Sequence, residues 1–209
     1  MAALKKDWRR KMIWGKAKPQ ALFPDVHLRG FRISMRPPAL EDWKQWAQVR
    51  EANIDHIQPF DPLWPEDAFT YDLFQRRAHR QAREWDLGLS NAFLIFKNNS
   101  GILIGGMNIN NICRGTAQYA ALGYWIDKDH EGRGYMAEAL KMTLQYSFEA
   151  LNLHRVNASC LPHNTRSKNT LLKAGFKKEG FAEKYLQING LWQDHELFGL
   201  PVENWQKNS

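Results

Sequence analysis

Residues 128–140 read KDHEGRGYMAEAL: two glycines flank an arginine, an aromatic follows, and strong helix formers close the stretch. A glycine loop entering a helix presents free backbone N–H groups, and the helix dipole adds positive potential at the same place. Gly132 and Gly134 permit close approach and unusual backbone angles, and Arg133 adds a cation. The stretch therefore reads as a phosphate-binding loop, with a plain tight turn before a helix as the bland alternative. Two phosphate readings compete. Gly132, Gly134 and Ala137 fit the dinucleotide fingerprint G-x-G-x-x-G/A. The same residues also fit a shorter pyrophosphate loop.

The neighbouring segments decide between them. Residues 118–127, QYAALGYWID, read as a strand, and residues 136–151 as a helix. HRVNASCL (154–161) is a strand again, and TRSKNTLLKAG (165–175) a short helix ending at Gly175. Upstream, AFLIFKNNSGILIGGMNIN (92–110) gives two strands joined by Asn98-Asn99-Ser100-Gly101. VHLRGFRISMR (26–36) reads as one strand closed by Pro37-Pro38. ALEDWKQWAQVREAN (39–53) and EDAFTYDLFQRRAHRQAREWD (66–86) read as helices, the second acidic at its start and basic later. Between them IQPFDPLWP (57–65) holds three prolines and is irregular. Two last strands flank Asn189-Gly190, a type I′ turn signal. The order β-α-α-β-β-β-α-β-α-β-β predicts a mixed α/β sheet with helices on its faces, antiparallel hairpins preceding the glycine loop.

A dinucleotide site needs a parallel βαβ unit and an acid at the end of the next strand to hold the ribose. Here the loop follows an antiparallel meander, and the next strand ends SCLPHN, without Asp or Glu. A Walker loop is excluded as well, since no Gly-Lys-Ser/Thr is present.

Composition is that of one globular domain: 209 residues, 44% hydrophobic and 12% aromatic. No apolar run approaches the ~20 residues of a membrane span, and the N-terminus lacks the apolar core of a secretory signal. Cys113 and Cys160 lack metal-type spacing and read as reduced thiols of a cytoplasmic protein. The net charge of +7 is uneven. Residues 1–20 carry seven Lys/Arg against Asp7, leaving 22 bases against 21 acids elsewhere. The chain divides into a basic arm (1–20) and a single domain (21–209). Leu4, Trp8 and Met12 give the arm an apolar stripe, suited to RNA phosphates or an anionic surface, or to a solvated tail.

Three stretches, LGYWIDKDHEGRGYMAEAL (122–140), HRVNASCLPHNTRSKNTLLKAGFKKEG (154–180) and YLQINGLWQDHELFGL (185–200), together resemble the GNAT-type N-acetyltransferases. The resemblance is nearest to the ribosomal-protein-alanine N-acetyltransferase group, of RimJ/RimL type, and covers roughly residues 26–200. It implies the acyl-CoA N-acyltransferase fold, a mostly antiparallel sheet with a splayed strand pair. It also implies acetyl-CoA as co-substrate, with no metal. The family loop, Gln/Arg-x-x-Gly-x-Gly/Ala, falls on Glu131, Gly132, Arg133, Gly134, Tyr135 and Met136. Glu131 and Met136 depart from it, and an acid beside a pyrophosphate implies that Glu131 points away while backbone amides bind. Tyr124, Trp125 and Ile126 would offer backbone groups to the pantetheine, an amide near Trp125 or Ile126 serving the oxyanion. Asn164 matches the family asparagine on the pantetheine arm, and Ser167 the serine near the thiol.

Acetyl transfer needs a neutral amine, oxyanion stabilisation and a proton for the departing thiolate. The tyrosine that supplies that proton in many family members is replaced by Leu171, which leaves Ser167 as donor or as a helix-terminal residue bonding its own backbone. A strand glutamate that some relatives use as base is Ala121 here. An α-amine of pKa ~8 is roughly a tenth neutral at pH 7, a lysine under ~0.1%, so weak base catalysis favours a protein N-terminus. Asp194 matches an acid in the family's W-x-D-H stretch and either orders the acceptor or braces its loop. Trp64 matches a tryptophan near the acceptor groove or simply packs. His163 and His195 are candidate bases or structural histidines.

The expected activity is direct acetyl transfer to an α-amine, with the N-terminal alanine of a small-subunit ribosomal protein as the first candidate. Two rivals stand beside it: a CoA-binding ribosome- or RNA-associated factor using the arm, and an enzyme for a small cationic amine. The last would favour an acidic groove built from Glu66, Asp67 and Asp194.

Overall fold

Apolar residues at period two lay down the N-terminal strands, here seen in a computed structural model that describes residues 22–206. The basic arm, residues 1–20, lies outside the described residues. β1 (Leu28–Arg29) and β2 (Ile33–Arg36) pair antiparallel, Leu28 opposite Met35. The single strand expected over 26–36 is therefore a small hairpin, bent at Gly30. A Cβ at Gly30 would lie 2.5 Å from the Glu138 carboxylate and 2.7 Å from Met142 Sδ, so a larger residue there would have to displace both side chains.

The chain continues through α1 (Trp43–Ala52), α2 (Ile54–Ile57), α3 (Tyr71–Asp86), β3 (Asn91–Lys97), β4 (Leu103–Cys113) and β5 (Tyr119–Ile126). After the glycine loop come α4 (Tyr135–Gln145), β6 (Arg155–Cys160), α5 (Thr165–Lys173), β7 (Lys177–Ile188), β8 (Leu191–Pro201) and α6 (Val202–Gln206). α3 begins later than the acidic stretch suggested. Thr70 caps it, its Oγ1 accepting the Leu73 N–H at 3.3 Å, and Glu66 and Asp67 stay in the preceding turn. α4 stops at Gln145 and widens into a π-type turn over Tyr146–Ala150. Asn189 and Gly190 both have positive φ, 46° and 81°, as a type I′ turn between β7 and β8 requires.

The eight strands are ordered β1-β2-β3-β4-β5-β6-β8-β7, and every neighbouring pair is antiparallel except β5–β6. This is the mixed sheet expected, with helices on both faces. β3 is apolar on both sides because both are covered. Ile95, Met107, Leu140 and Leu171 belong to the larger cluster, under α4 and α5. Trp46, Phe74, Leu94 and Phe96 form the smaller one, under α1 and α3. Burying each such side chain contributes about 1.5–3 kcal/mol. No helix among the described residues is long and apolar enough to cross a membrane.

One topological feature creates the site. β5 and β6 pair in parallel only from Tyr119↔Arg155 to Leu122↔Ala158. Beyond that point β5 follows β4 to Ile126, while β6 stays with β8 to Cys160. The sheet opens like a V, and the glycine loop follows the free end of β5.

Candidate active site

The glycine loop is braced from three sides. At its entrance, Asp127 accepts hydrogen bonds from Asn53 Nδ2 (2.9 Å) and pairs with His130 Nδ1 (2.8 Å), while Asn53 Oδ1 accepts the Lys128 N–H. Burial alone would raise the Asp127 pKa, but the hydrogen bonds from Asn53 and His130 hold it below the usual carboxylate value. At its exit, Arg32 donates to Glu138 Oε2 (2.9 Å) and to the Arg133 carbonyl (2.8 Å), with its guanidinium over the Tyr135 ring. The third brace is Glu131, whose carboxylate meets Arg166 Nη1 at 2.6 Å and His56 Nε2 at 3.8 Å. The acid that departs from the family loop thus ties that loop to α5, its charge matched by Arg166.

Gly132 and Gly134 adopt left-handed backbone, φ 69° and 79°. Gly134 has Arg32 against it, whereas a Cβ on Gly132 would meet nothing within 4 Å. The Gly132 face is thus open for a ligand, beside N–H groups of Tyr135, Met136 and Ala137 that have no intrahelical carbonyl. The Met136 side chain is buried in the core, so its backbone is the part on offer.

At the V, side chains of β5 point alternately to the two sheet faces. Tyr124 turns toward α5, where its hydroxyl lies 2.8 Å from Ser167 Oγ. Burial pushes the Tyr124 phenol up to about 12, although the Ser167 hydrogen bond opposes the shift. A phenol thus reaches Ser167 from β5, while Leu171, in the position of the family's α5 tyrosine, is fully buried in the core. Asn164 is the N-cap of α5: its Oδ1 accepts the Ser167 N–H at 3.1 Å and fixes that residue's position. Capping therefore falls to Asn164 and leaves the Ser167 hydroxyl to Tyr124. Cys160, buried near Ser167, has its thiol pushed up to about 11, mainly by burial and then by Glu196. It is a poor nucleophile there.

Backbone alternation selects the amides that face the opening. Asp127 N–H donates to the Ile104 carbonyl, on the β4 side. By period two, the Trp125 N–H also faces β4, and the Tyr124 and Ile126 amides face the opening. Of the two oxyanion donors expected, Ile126 has the orientation.

Trp125 turns its indole to the other face, across the glycine pair Gly105-Gly106. A Cβ on Gly106 would lie 2.4 Å from Trp125 Nε1. Here the sequence left a group of residues unread. Arg50 is 2% exposed and stacks on Trp64 (4.1 Å), Trp125 (5.2 Å) and Trp46 (5.4 Å). Its Nη2 donates to Asp61 Oδ2, which also accepts the Trp64 indole N–H at 2.7 Å. Burial lowers the Arg50 pKa, with Asp61 opposing. One signal was legible: Arg50 follows Trp43, Trp46 and Ala47 on the apolar side of α1.

These parts border a cleft of about 2410 Å³, reached from the V by Tyr124, Ser167 and Asn164 and from the other side by Trp64, Trp125 and Asp61. The β7–β8 turn closes one end, Asn189 N–H donating to the Asp61 carbonyl. His195 is buried and faces the cleft, its Nδ1 on the Gln193 carbonyl. Asp194 lies one residue away and does not line the cleft. Its Oδ1 accepts the N–H of Lys184, which stands at φ 46° beside an irregularity of β7. His163 is exposed and lies against Phe60. Asp67 pairs with Arg76, so Glu66, Asp67 and Asp194 do not converge. Among the described residues, no group of three His, Cys, Asp or Glu is placed to hold a metal ion.

Comparison with known proteins agrees with this geometry. The family model described as "Acetyltransferase (GNAT) domain" matches residues 32–177. The chain is 32% identical over 188 residues to the [ribosomal protein uS5]-alanine N-acetyltransferase of Escherichia coli, covering 87% of this chain and 94% of that protein. The crystal structure of ribosomal-protein-S5-alanine acetyltransferase from Vibrio fischeri superposes with a TM-score of 0.80 at 31% identity, over 87% of this chain and 99% of that one. Mycobacterium smegmatis RimJ in complex with CoA-disulfide gives 0.78 at 30% identity, over 82% of each chain. With a glycine loop ahead of α4, a sheet opened between β5 and β6, and these relatives, the chain belongs to the GNAT family and is an acetyl-CoA-dependent N-acetyltransferase.

Proposed function

We propose that the acceptor is the α-amine of a protein N-terminus, with the alanine terminus of a ribosomal protein as the first candidate. The observation that carries this reading is the charge of the cleft. Arg50, Arg76, Arg77, Arg80 and Arg83 line it, against Asp61, Glu84 and Asp86. A basic wall repels a polyamine or an amino-sugar polycation, and the acidic groove such an acceptor would need is absent from the described residues. An α-amine, already partly neutral near pH 7, needs only weak help to lose its proton. The names of the relatives that are 31–32% identical support the same acceptor.

Acetyl-CoA supplies an activated acetyl thioester, and the fit is a loop face open at Gly132, free N–H groups on α4 and the gap beside β5. In this proposal, Gly132, Arg133, Gly134, Tyr135 and Met136 bind the pyrophosphate through backbone amides, with Glu131 holding the loop in place. The Tyr124 and Ile126 amides face the pantetheine, and Asn164 orients Ser167. Tyr124 stays protonated and donates to Ser167 Oγ, leaving the serine proton free for the departing sulfur. Asp194 is a positioning residue: by holding Lys184 it sets Tyr185 and Leu186, which line the cleft. Trp64 and Asp61 shape the acceptor wall. The arm, residues 1–20, is a separate tether to the ribosome. Its deletion should abolish salt-sensitive RNA binding and leave peptide acetylation intact.

The test is intact mass spectrometry of two peptide sets incubated with the protein and acetyl-CoA. One set has a free N-terminal alanine and blocked lysines, the other a blocked N-terminus and free lysines. A gain of one acetyl confined to the first set is expected. Acetylation confined to lysines, or to polyamines run alongside, would overturn the reading.

A further inference from the structure

The cleft holds more cations than its own carboxylates match. Arg77 on α3 is half-buried and lines the cleft, its guanidinium 5.7 Å from the centre of the Trp46 ring. Among the described residues it has no carboxylate within ion-pair distance and no hydrogen bond. The two acids nearest in the field are engaged elsewhere. Asp61 takes Arg50 and Trp64 on one oxygen, and Glu84 takes the Ser90 hydroxyl at 2.7 Å and Arg80 at 3.7 Å. Burial, then the charge of Arg50, pull the Arg77 pKa down to about 10, the direction expected of a desolvated cation without a partner. Burying a charge without a counter-ion is costly, and a ligand anion removes that cost. Six residues on, Arg83 is exposed, lines the same cleft and has no ion pair among the described residues.

We propose that Arg77 is a specificity residue for an acidic acceptor: it takes a side-chain carboxylate at the second or third position of the acceptor peptide, with Arg83 extending the attraction outward. This rests on the α-amine reading. The guanidinium fork matches a carboxylate with two parallel hydrogen bonds, and the indole of Trp46 backs it. Arg50 cannot take this part because Asp61 already occupies it. The same positive field works against protonation of the incoming amine.

The experiment uses the full chain, saturating acetyl-CoA and peptides that begin with alanine and carry Asp, Asn or Arg at position two or three. Wild-type kcat/KM should favour Asp over Asn by about tenfold, the worth of one charge-assisted hydrogen-bonded contact, with Arg the poorest. Arg77→Gln should bring the Asp-to-Asn ratio close to one, and Arg77→Lys should keep more of it. A wild-type ratio within about twofold of one needs no variant to interpret and would overturn the inference, leaving the α-amine reading standing. A ratio unchanged in Arg77→Gln would overturn it too, Trp46 then being sufficient company for the cation. Failure to acetylate any peptide would remove both readings together.

Discussion

Ser167 is two bonded contacts deep: Asn164 holds its backbone and Tyr124 its hydroxyl. If its proton assists the departing sulfur, Ser167→Ala lowers kcat by about 10²-fold, the low end of general acid catalysis, with acetyl-CoA affinity little changed. Tyr124→Phe keeps the ring and loses the donor, so a smaller fall in kcat is expected, read by the same steady-state assay. Tyr124 also makes a stability prediction. Its folded pKa is raised, so the folded protein binds more protons than the unfolded chain between pH 10 and about 12. The stability this gives is complete below pH 10 and lost as pH rises through about 12. Urea unfolding across that window should show the wild type losing stability relative to Tyr124→Phe. Asp194 separates two roles with one substitution. Asn keeps a carbonyl oxygen for the Lys184 N–H, so Asp194→Asn should retain most activity, whereas Asp194→Ala should cost about 1 kcal/mol of stability and lower kcat/KM. A full loss in Asp194→Asn would make the charge itself catalytic.

At the scale of elements, the loop between β5 and α4 depends on two glycines for different reasons. Both have left-handed φ, so alanine costs about 1–2 kcal/mol of strain at either place. At Gly134 the new methyl also presses on Arg32, 3.2 Å away, and disturbs the guanidinium that holds the Arg133 carbonyl and Glu138. At Gly132 nothing protein-borne is met, and the methyl intrudes only where a phosphate would approach. Calorimetry should therefore find the larger fall in Tm for Gly134→Ala. Isothermal titration should find the larger loss of acetyl-CoA affinity for Gly132→Ala relative to its loss of stability.

At the scale of the whole molecule, the cleft lies where two cores meet through the gap in one sheet. In the proposed arrangement α4 and α5 would carry the cofactor side and α1 and α3 the acceptor side; Arg50 is buried between them. Removing a buried ion-pair partner leaves the other unmatched, so Arg50→Met should destabilise by about 3 kcal/mol, a fall of roughly 10 °C in Tm. Saturating acetyl-CoA should recover part of that loss, because binding stabilises only the folded state. Thermal unfolding with and without acetyl-CoA checks both statements.

Most of the strand and helix order, the hairpin turns and the glycine turn ahead of α4 were legible in the chain. Each rests on local patterns: hydrophobic period, turn residues, and a glycine pair ahead of a helix. Local rules missed the turn at Gly30, which packs against Glu138 and Met142, more than a hundred residues away. The family resemblance placed Trp125 among the amide donors, although strand pairing turns its N–H toward β4. Resemblance marked Ser167 and Asn164, while their division of labour, one capping and the other bonded to Tyr124, required β5 and α5 to be brought together. Arg50, Asp61 and Arg77 come from segments that only packing joins: α1, a proline-rich turn and α3. The sequence by itself determined the elements and the loop, because those follow from neighbours along the chain. Only the tertiary structure decided the cleft's charge, because which ions are matched and which are left over depends on distances between residues far apart in sequence.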